Sequence, residues 1–141
     1  MNELLIVGHV LTKIIEQHLS FSDALKEAVQ QASATSSQGL IRSLTSCELH
    51  HHRLLDHVVN RFANQLSPSD KFIVQAAIGN NVFVKRLPYE QVMVFLQQFL
   101  LEKEVPKTSI DELLSLAAPG KNLIDQQIKE NSITYLGIKY N

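Results

Sequence analysis

The sequence predicts an all-α protein, a compact bundle of about six to seven helices. Apolar residues recur at steps of three and four along most of the chain, which is the spacing of one buried helix face. Residues that favour helix starts, mainly serine and proline, stand between these runs. The chain shows no convincing strand pair and no fixed-period repeat.

Three helices are predicted in the first half of the chain. The first covers Glu3 to His18, and the second follows the cap signal Ser-Phe-Ser-Asp at 20–23. The stretch from Ala34 to Gly39, rich in serine and threonine, predicts a loop. A third, long helix is predicted from about Leu40 to Asn64, and the three consecutive histidines at 50–52 mark the place where it would break.

The second half begins with the clearest local signal, Ser-Pro-Ser-Asp at 67–70. A serine caps the helix, and a proline fits the first position because its missing N–H is not needed there. Leu87-Pro88 opens the next helix, which is expected to end before Pro106, and the capping-box pattern from Ser109 to Glu112 predicts the start of a short one. The remaining signals are a stop at Pro119-Gly120, an amphipathic segment with Leu123, Ile124 and Ile128, and a tail, Ile133 to Tyr140, compatible with extended or helical structure.

Composition bounds the class of protein. With 141 residues and 45% hydrophobic content, the chain is expected to form a single domain over residues 1–141. Thirteen basic and fourteen acidic residues give a net charge of -1, so any basic surface must be local. One cysteine, Cys47, excludes an intrachain disulfide and fits a cytoplasmic location. The N-terminus has neither the basic region of a signal peptide nor the length of a membrane span, so no membrane association is expected.

No catalytic residue, cofactor site or metal site is predicted. Glu48 and His51 have the spacing of a metal-binding pair, but a second such pair is missing, and adjacent histidines on a helix point about 100° apart. Cys47 falls on an apolar stripe and is expected to be an inert, buried thiol. The five glycines are scattered singly, so the glycine-rich loops that bind nucleotide phosphates are absent.

One polar stripe on the predicted long helix carries an excess of cations. Its members follow steps of four, four, three, four and four: Arg42, Ser46, His50, Arg53, His57 and Arg61. Lys85 and Arg86, at the end of another helix, could continue it. Local cations of this kind suffice for phosphate contacts, so Arg42, His50, Arg53, His57, Arg61, Lys85 and Arg86 are the predicted RNA- or partner-binding residues. An ordinary solvated helix face has the same pattern and stays open as the alternative.

Four segments carry a resemblance to a known family. They are Leu54 to Val59, similar to a Leu-Asp-x-x-Ile helix; Asp70 to Val74, similar to an Asp-Arg-x-x-Leu opening; Leu87-Pro88 with Val92, similar to an Ile-Pro turn; and Lys121 to Asp125, similar to the segment before a terminal Phe-Val-Asn-Gly. In this order, over residues 40–130, they resemble the NusB family, which includes transcription antitermination factors and the N-terminal domains of 16S ribosomal-RNA cytosine methyltransferases. The resemblance implies a NusB-like fold and binding to RNA, to a ribosomal or transcription protein, or to both. For the antitermination factors it implies boxA RNA and the ribosomal protein that serves as NusE.

Polar positions depart from the family pattern. Family members usually begin with an arginine-rich segment implicated in boxA binding, whereas here only Met1-Asn2-Glu3 precedes the first apolar residue. Gln75 and Asn81 stand where arginine and glutamate are usual. We therefore transfer no individual contact residue from the family, and expect RNA contacts to use the basic helix face.

The leading hypothesis is a non-catalytic adaptor for RNA or protein in transcription antitermination or ribosomal RNA biogenesis, without DNA sequence specificity. One alternative is the RNA-specificity domain of a ribosomal-RNA methyltransferase, because Ile138 to Asn141 looks like the linker that precedes the catalytic domain in those enzymes. Another is a bundle used only for protein interaction or oligomerisation. A monomer and a dimer are both compatible with the sequence.

Overall fold

A computed structural model describes residues 2–31 and 38–118, together with two short strands nearer the C-terminus. These residues form seven α-helices and one π-helical turn, so the predicted all-α bundle of six to seven helices is confirmed. The helices are α1 (Asn2–Ile15), α2 (Phe21–Gln31), α3 (Gln38–His50), α4 (His52–Ala63), α5 (Pro68–Gly79), α6 (Tyr89–Glu102) and α7 (Lys107–Ala117), and the π turn is Asn80–Val84.

Two of the predicted serine caps are present. The Ser20 hydroxyl accepts a hydrogen bond from the Asp23 amide at 3.1 Å, and the Ser67 hydroxyl accepts one from the Asp70 amide at 3.2 Å. Each bond satisfies an amide that has no partner inside its own helix. Pro68 occupies the first turn of α5, as its fixed φ angle and missing donor favour.

The predicted start of α7 is wrong. The helix begins at Lys107, so Ser109 lies inside it and does not act as its cap. Pro106, with φ -56° and ψ 143°, stands at the cap position without a side-chain hydrogen bond. A proline disfavours helical geometry in the residue before it, so the helix starts after Pro106. Its first residue is Lys107, two residues before the capping-box pattern.

The predicted long third helix is two helices. His51, with φ -108° and ψ 18°, departs from helical geometry and separates α3 from α4 at the histidines, where the sequence allowed a break. The predicted loop over 34–39 is also too long, since Gln38 and Gly39 already belong to α3. Residues 32–37 lie outside the described part of the chain.

One cluster of buried apolar side chains connects all seven helices. At its centre α1 crosses α5, where Gly8 faces Ile73 so closely that a Cβ atom on residue 8 would collide with the Ile73 side chain. Leu4, Val7 and Leu11 of α1 are completely buried on either side of this crossing. The glycine thus permits the close helix contact around which the core is built.

The expectation of no strand pair needs a correction. Two-residue strands, β1 (Thr134–Tyr135) and β2 (Ile138–Lys139), pair antiparallel, with Thr134 opposite Lys139 and Tyr135 opposite Ile138. They lie in the tail for which extended structure was one of two expectations. The predicted segment with Leu123, Ile124 and Ile128, the stop at Pro119-Gly120 and the family-like segment Lys121 to Asp125 fall outside the described residues.

Within those described residues, no helix has both the length and the apolar character required to cross a lipid bilayer.

Candidate nucleic-acid interface

The bend at His51 divides the predicted basic stripe. Arg42, Ser46 and His50 lie on α3 and are exposed. The other three members lie on α4, where Arg53 and Arg61 are exposed and His57 is half-buried: Arg53, His57 and Arg61. Steps of four residues keep each group on one face of its own helix. The stripe is therefore two shorter rows on two helices.

A second row, which begins on α3 and ends at His51 in the bend, faces the π turn and the residues around it. Ser43, Cys47 and His51 follow at steps of four, and each makes one contact with this neighbouring segment. The contacts are Arg86 Nη1 donating to Ser43 Oγ at 3.0 Å, Cys47 Sγ donating to the Gly79 carbonyl at 3.9 Å, and the His51 ring stacked on the Phe83 ring. The row holds the end of α5 and the following turn against α3.

Asn80 builds the turn that carries Lys85 and Arg86. This asparagine is completely buried, and its Oδ1 accepts hydrogen bonds from the Leu87 amide at 2.9 Å and the Arg86 amide at 3.3 Å. Its Nδ2 donates to the Leu87 carbonyl at 3.1 Å. Lys85 adopts a left-handed conformation, with φ 56°, and its amide donates to the Asn80 carbonyl to close the π turn. A buried side chain thereby fixes the backbone that carries the two cations, and Arg86 also reaches Ser43 of α3.

Two contacts, Arg86 with Ser43 and Phe83 with His51, bring these two segments together. We use the name α3 face for the exposed cations, the exposed aromatic residue and their exposed polar neighbours on the two segments: Arg42, Ser46, His50, Phe83, Lys85 and Arg86. All six are exposed. The segments that supply them, 38–50 and 79–88, contain a single carboxylate, Glu48, whose side chain is completely buried. Exposed charge on these two segments is therefore positive, although the chain as a whole carries -1.

The structure thus joins four of the seven predicted binding residues, Arg42, His50, Lys85 and Arg86, to one surface. The remaining three lie on α4, beyond the bend. Arg61 there lies 5.4 Å from the centre of the Phe62 ring, a cation–π distance. Phe83 is a member of the α3 face that the sequence did not predict.

The opposite side of the bend holds a buried polar cluster that the sequence also did not predict. Glu48 Oε1 lies 2.8 Å from His52 Nδ1, and the Glu48 side chain has no exposed surface. Nearby, Asp56 accepts hydrogen bonds from Asn60 Nδ2 at 3.0 Å and from Gln75 Nε2 at 3.2 Å. The His52 ring is half-buried in this cluster.

Burial and pairing set the charge state of this cluster. Burial raises the pKa of Glu48, and the hydrogen bond that His52 donates to Glu48 raises the pKa of His52. Both shifts favour retention of a proton between the two side chains. The spacing could have revealed Glu48, because it falls four residues after the buried Leu44 on the core-facing stripe of α3.

A cleft of about 240 Å³ opens beside this cluster. Its lining mixes both signs of charge with apolar groups: Ile15, Glu16, His52, Asp56, Pro68, Lys71 and Phe72. The lining brings α1, α4 and α5 together, and His52 and Asp56 reach it from the buried cluster. The cleft lacks the single sign of charge that marks the α3 face.

The structure separates the three consecutive histidines. His50 is exposed and meets His51 edge to face, His51 stacks on Phe83, and His52 pairs with Glu48. In the part of the chain that the model describes, no three His, Cys, Asp or Glu side chains are grouped so that they could hold a metal ion.

Cys47 has the environment of an unreactive thiol. It is half-buried on the α3 row that faces Gly79. Burial, with the nearby Glu48 carboxylate, raises the pKa of its thiol to about 11, so the reactive thiolate is scarce at neutral pH.

Comparisons of this chain with protein-family models, with curated proteins and with solved structures find no match.

Proposed function

We propose that this chain is a non-catalytic helical adaptor that binds RNA through the α3 face, in transcription antitermination or ribosomal RNA biogenesis. The observation that carries the proposal is the local charge of this face. Three exposed cations, Arg42, Lys85 and Arg86, come from two segments whose only carboxylate is buried. A near-neutral chain with such a face can attract phosphates locally without a general excess of positive charge.

The fixed geometry of the face supports the same function. Arg86 is tied to Ser43, and the turn that carries Arg86 is organised by the buried Asn80. A cation that is already positioned loses less conformational freedom when it pairs with a phosphate. The resemblance of residues 40–130 to the NusB family favours RNA as the source of those phosphates.

Charge reversal on matched pairs of cations tests the proposal. Three double variants change the charge by the same amount: Arg42→Glu with Arg86→Glu on the α3 face, Arg53→Glu with Arg61→Glu on α4, and Lys26→Glu with Lys107→Glu as the control on α2 and α7. Binding of a labelled single-stranded RNA is measured by fluorescence anisotropy over a range of salt concentrations. Each lost phosphate contact should lower the steepness of the log-log salt dependence by about 0.7 for a single strand.

We expect the α3-face pair to lose the most affinity. The slope of its log-log salt dependence should become less steep by about 1.4, which corresponds to two contacts. The control pair should behave like the unaltered chain apart from a small general effect of charge. Equal losses for all three pairs would mean that only the overall charge matters. Absence of salt-sensitive binding by the unaltered chain would remove the RNA function itself.

A protein partner is the second part of the adaptor proposal, and α6 supports it. Val94 and Leu101 are each 56% exposed and lie seven residues apart, on the same face of this helix. Exposed apolar side chains on one face are typical of interaction surfaces. Light scattering of the unaltered chain and of Leu101→Glu shows whether this face joins two copies: a dimer that the variant dissociates would favour self-association over a separate ribosomal or transcription protein.

A further inference from the structure

One member of the α3 face is an exposed aromatic ring. Phe83 is 36% exposed, and its ring lies parallel to that of His51, with centroids 3.8 Å apart and 3° between the planes. His50 meets the edge of His51 at 4.7 Å. The π turn holds Phe83 in this position, and the stack supports its ring from the side of α3.

The chain segments that supply this ring also carry the cations of the face. Lys85 and Arg86 follow Phe83 in the turn, and Arg86 reaches back to Ser43, next to Arg42. The pKa of His51 is lowered, first by burial and then by the charge of His50, so the ring under Phe83 is neutral at neutral pH. The platform is therefore a neutral aromatic pair on two segments that also carry cations.

The ligand that combines a flat aromatic surface with flanking negative charge is a nucleotide. A nucleobase stacks on an aromatic side chain whatever its sequence, while Arg and Lys pair with the phosphates on either side. In a duplex both faces of each base are already covered by neighbouring bases, so only an unpaired base can stack in this way.

A protein partner fits this location less well. Interface centres are rich in apolar neighbours and poor in lysine. The neighbours of Phe83 on the α3 face are cations and polar residues, and the most exposed apolar side chains of α6, Val94 and Leu101, lie on another element.

We propose that Phe83, supported by His51, is a stacking platform for an unpaired nucleobase, so that the α3 face selects single-stranded RNA over duplex RNA. This inference rests on the proposed RNA-binding function and adds the structural class of the RNA. Arg42, Lys85 and Arg86 contribute affinity through phosphates, and Phe83 contributes the preference for the single strand.

The test measures anisotropy with a labelled single strand of about ten nucleotides, within the range that one small domain covers, and with the same strand annealed to its complement. Three variants are compared: Phe83→Leu, which keeps apolar volume but removes the aromatic face; Phe83→Tyr, which restores it; and Phe21→Leu, a matched aromatic loss on α2. Thermal melting of each variant accompanies the binding curves.

We expect Phe83→Leu to weaken single-strand binding about tenfold, the equivalent of about 1.4 kcal/mol of stacking. The salt dependence should not change, because no cation is removed, and duplex binding should be unaffected. Phe83→Tyr and Phe21→Leu should bind the single strand like the unaltered chain.

The failures of the two proposals are distinguishable. If the unaltered chain shows no salt-sensitive binding to either RNA, both the RNA function and the stacking platform are overturned. If it binds with salt sensitivity but Phe83→Leu binds equally well, or if the duplex binds as tightly as the single strand, only the platform is overturned. A dimer that Phe83→Leu dissociates in light scattering would likewise overturn the platform, because it would place the ring in a protein interface.

Discussion

Two consecutive histidines at the bend between α3 and α4 lie in opposite environments. On the outer side, His51 stacks on Phe83, and burial lowers its pKa. On the inner side, His52 pairs with the completely buried Glu48, and this hydrogen bond raises its pKa. One step along the chain thus separates a ring that loses its proton more readily, in an aromatic stack, from a ring that holds its proton more tightly, beside a carboxylate.

The difference shows that neighbouring elements assign the role of each histidine. The π turn brings Phe83 to the outer side, whereas the core-facing row of α3 brings Glu48 to the inner side. The inner polar groups form hydrogen bonds with one another. The outer cations are exposed, which leaves their charge available to a ligand. Variants on the two sides should therefore separate loss of stability from loss of binding.

The largest expected effect is on the inner side. Glu48→Ala should lower the free energy of unfolding by about 3 kcal/mol, because it removes a buried, charge-assisted hydrogen bond and leaves a cavity. Urea unfolding followed by circular dichroism measures the change. The control is Glu102→Ala, which removes an exposed glutamate from α6 and should shift stability by no more than about 0.5 kcal/mol. Equal unfolding midpoints for the two variants would show that the buried pair contributes no net stability.

The second-largest expected effect is on the pH dependence of stability, which should distinguish His52 from His51. Raised pKa values of Glu48 and His52 mean that the folded chain holds a proton there more tightly than the unfolded chain. The His52 contribution is therefore complete below about pH 6.5 and is lost as the pH rises through the folded pKa of His52; the Glu48 shift acts in the same direction, starting from its lower unfolded value. The lowered pKa of His51 has the opposite effect. Its contribution to stability increases as the pH rises towards about 6.5 and stays constant above that pH.

Urea unfolding at about pH 6.5 and about pH 8 tests this sign. The free energy of unfolding should change by less than about 1.4 kcal/mol per pH unit, which is the limit for one proton. We expect stability to fall across this interval in the unaltered chain. Glu48→Gln should flatten the fall because it removes the carboxylate that raises the pKa of His52. The matched change on the outer side, His51→Gln, should leave the fall in place. If stability still falls over this pH interval in Glu48→Gln, other titratable groups cause the fall.

Helix periodicity and local caps predicted most of the described fold. The hydroxyls of Ser20 and Ser67 act as caps because their effect depends only on residues a few positions away. Ser109 failed as a helix start because the nearby Pro106 begins the helix earlier. Residue spacing also predicted that Arg42 and His50 share one face of a helix, since that property follows from helix geometry alone.

Contacts of individual side chains, some between neighbouring turns and one across the chain, determine what the sequence did not predict. Phe83 joins the α3 face only because the buried side chain of Asn80 organises the turn, and those hydrogen bonds reach residues seven positions further on. Glutamate is seldom completely buried, so the residue type of Glu48 did not indicate its buried pair with the half-buried His52. The position of Arg86 beside Ser43 joins residues that are 43 positions apart, which no local pattern specifies.

The smallest expected effect concerns that contact on the outer side. Ser43→Ala removes the acceptor of the Arg86 guanidinium in an exposed place, so the free energy of unfolding should change by less than about 0.5 kcal/mol. Affinity for single-stranded RNA should nevertheless fall about threefold, because Arg86 keeps its charge but loses its fixed position and must be ordered on binding. The salt dependence of binding should be unchanged, because the variant keeps the charge of Arg86. Ser46→Ala, a hydroxyl removed from the α3 face one turn further along, is the matched control and should have no effect. Identical affinities for the two variants would mean that the charge of Arg86 contributes to RNA binding but its positioning by Ser43 does not. The outer side of the bend would then differ from the inner side only in its charge.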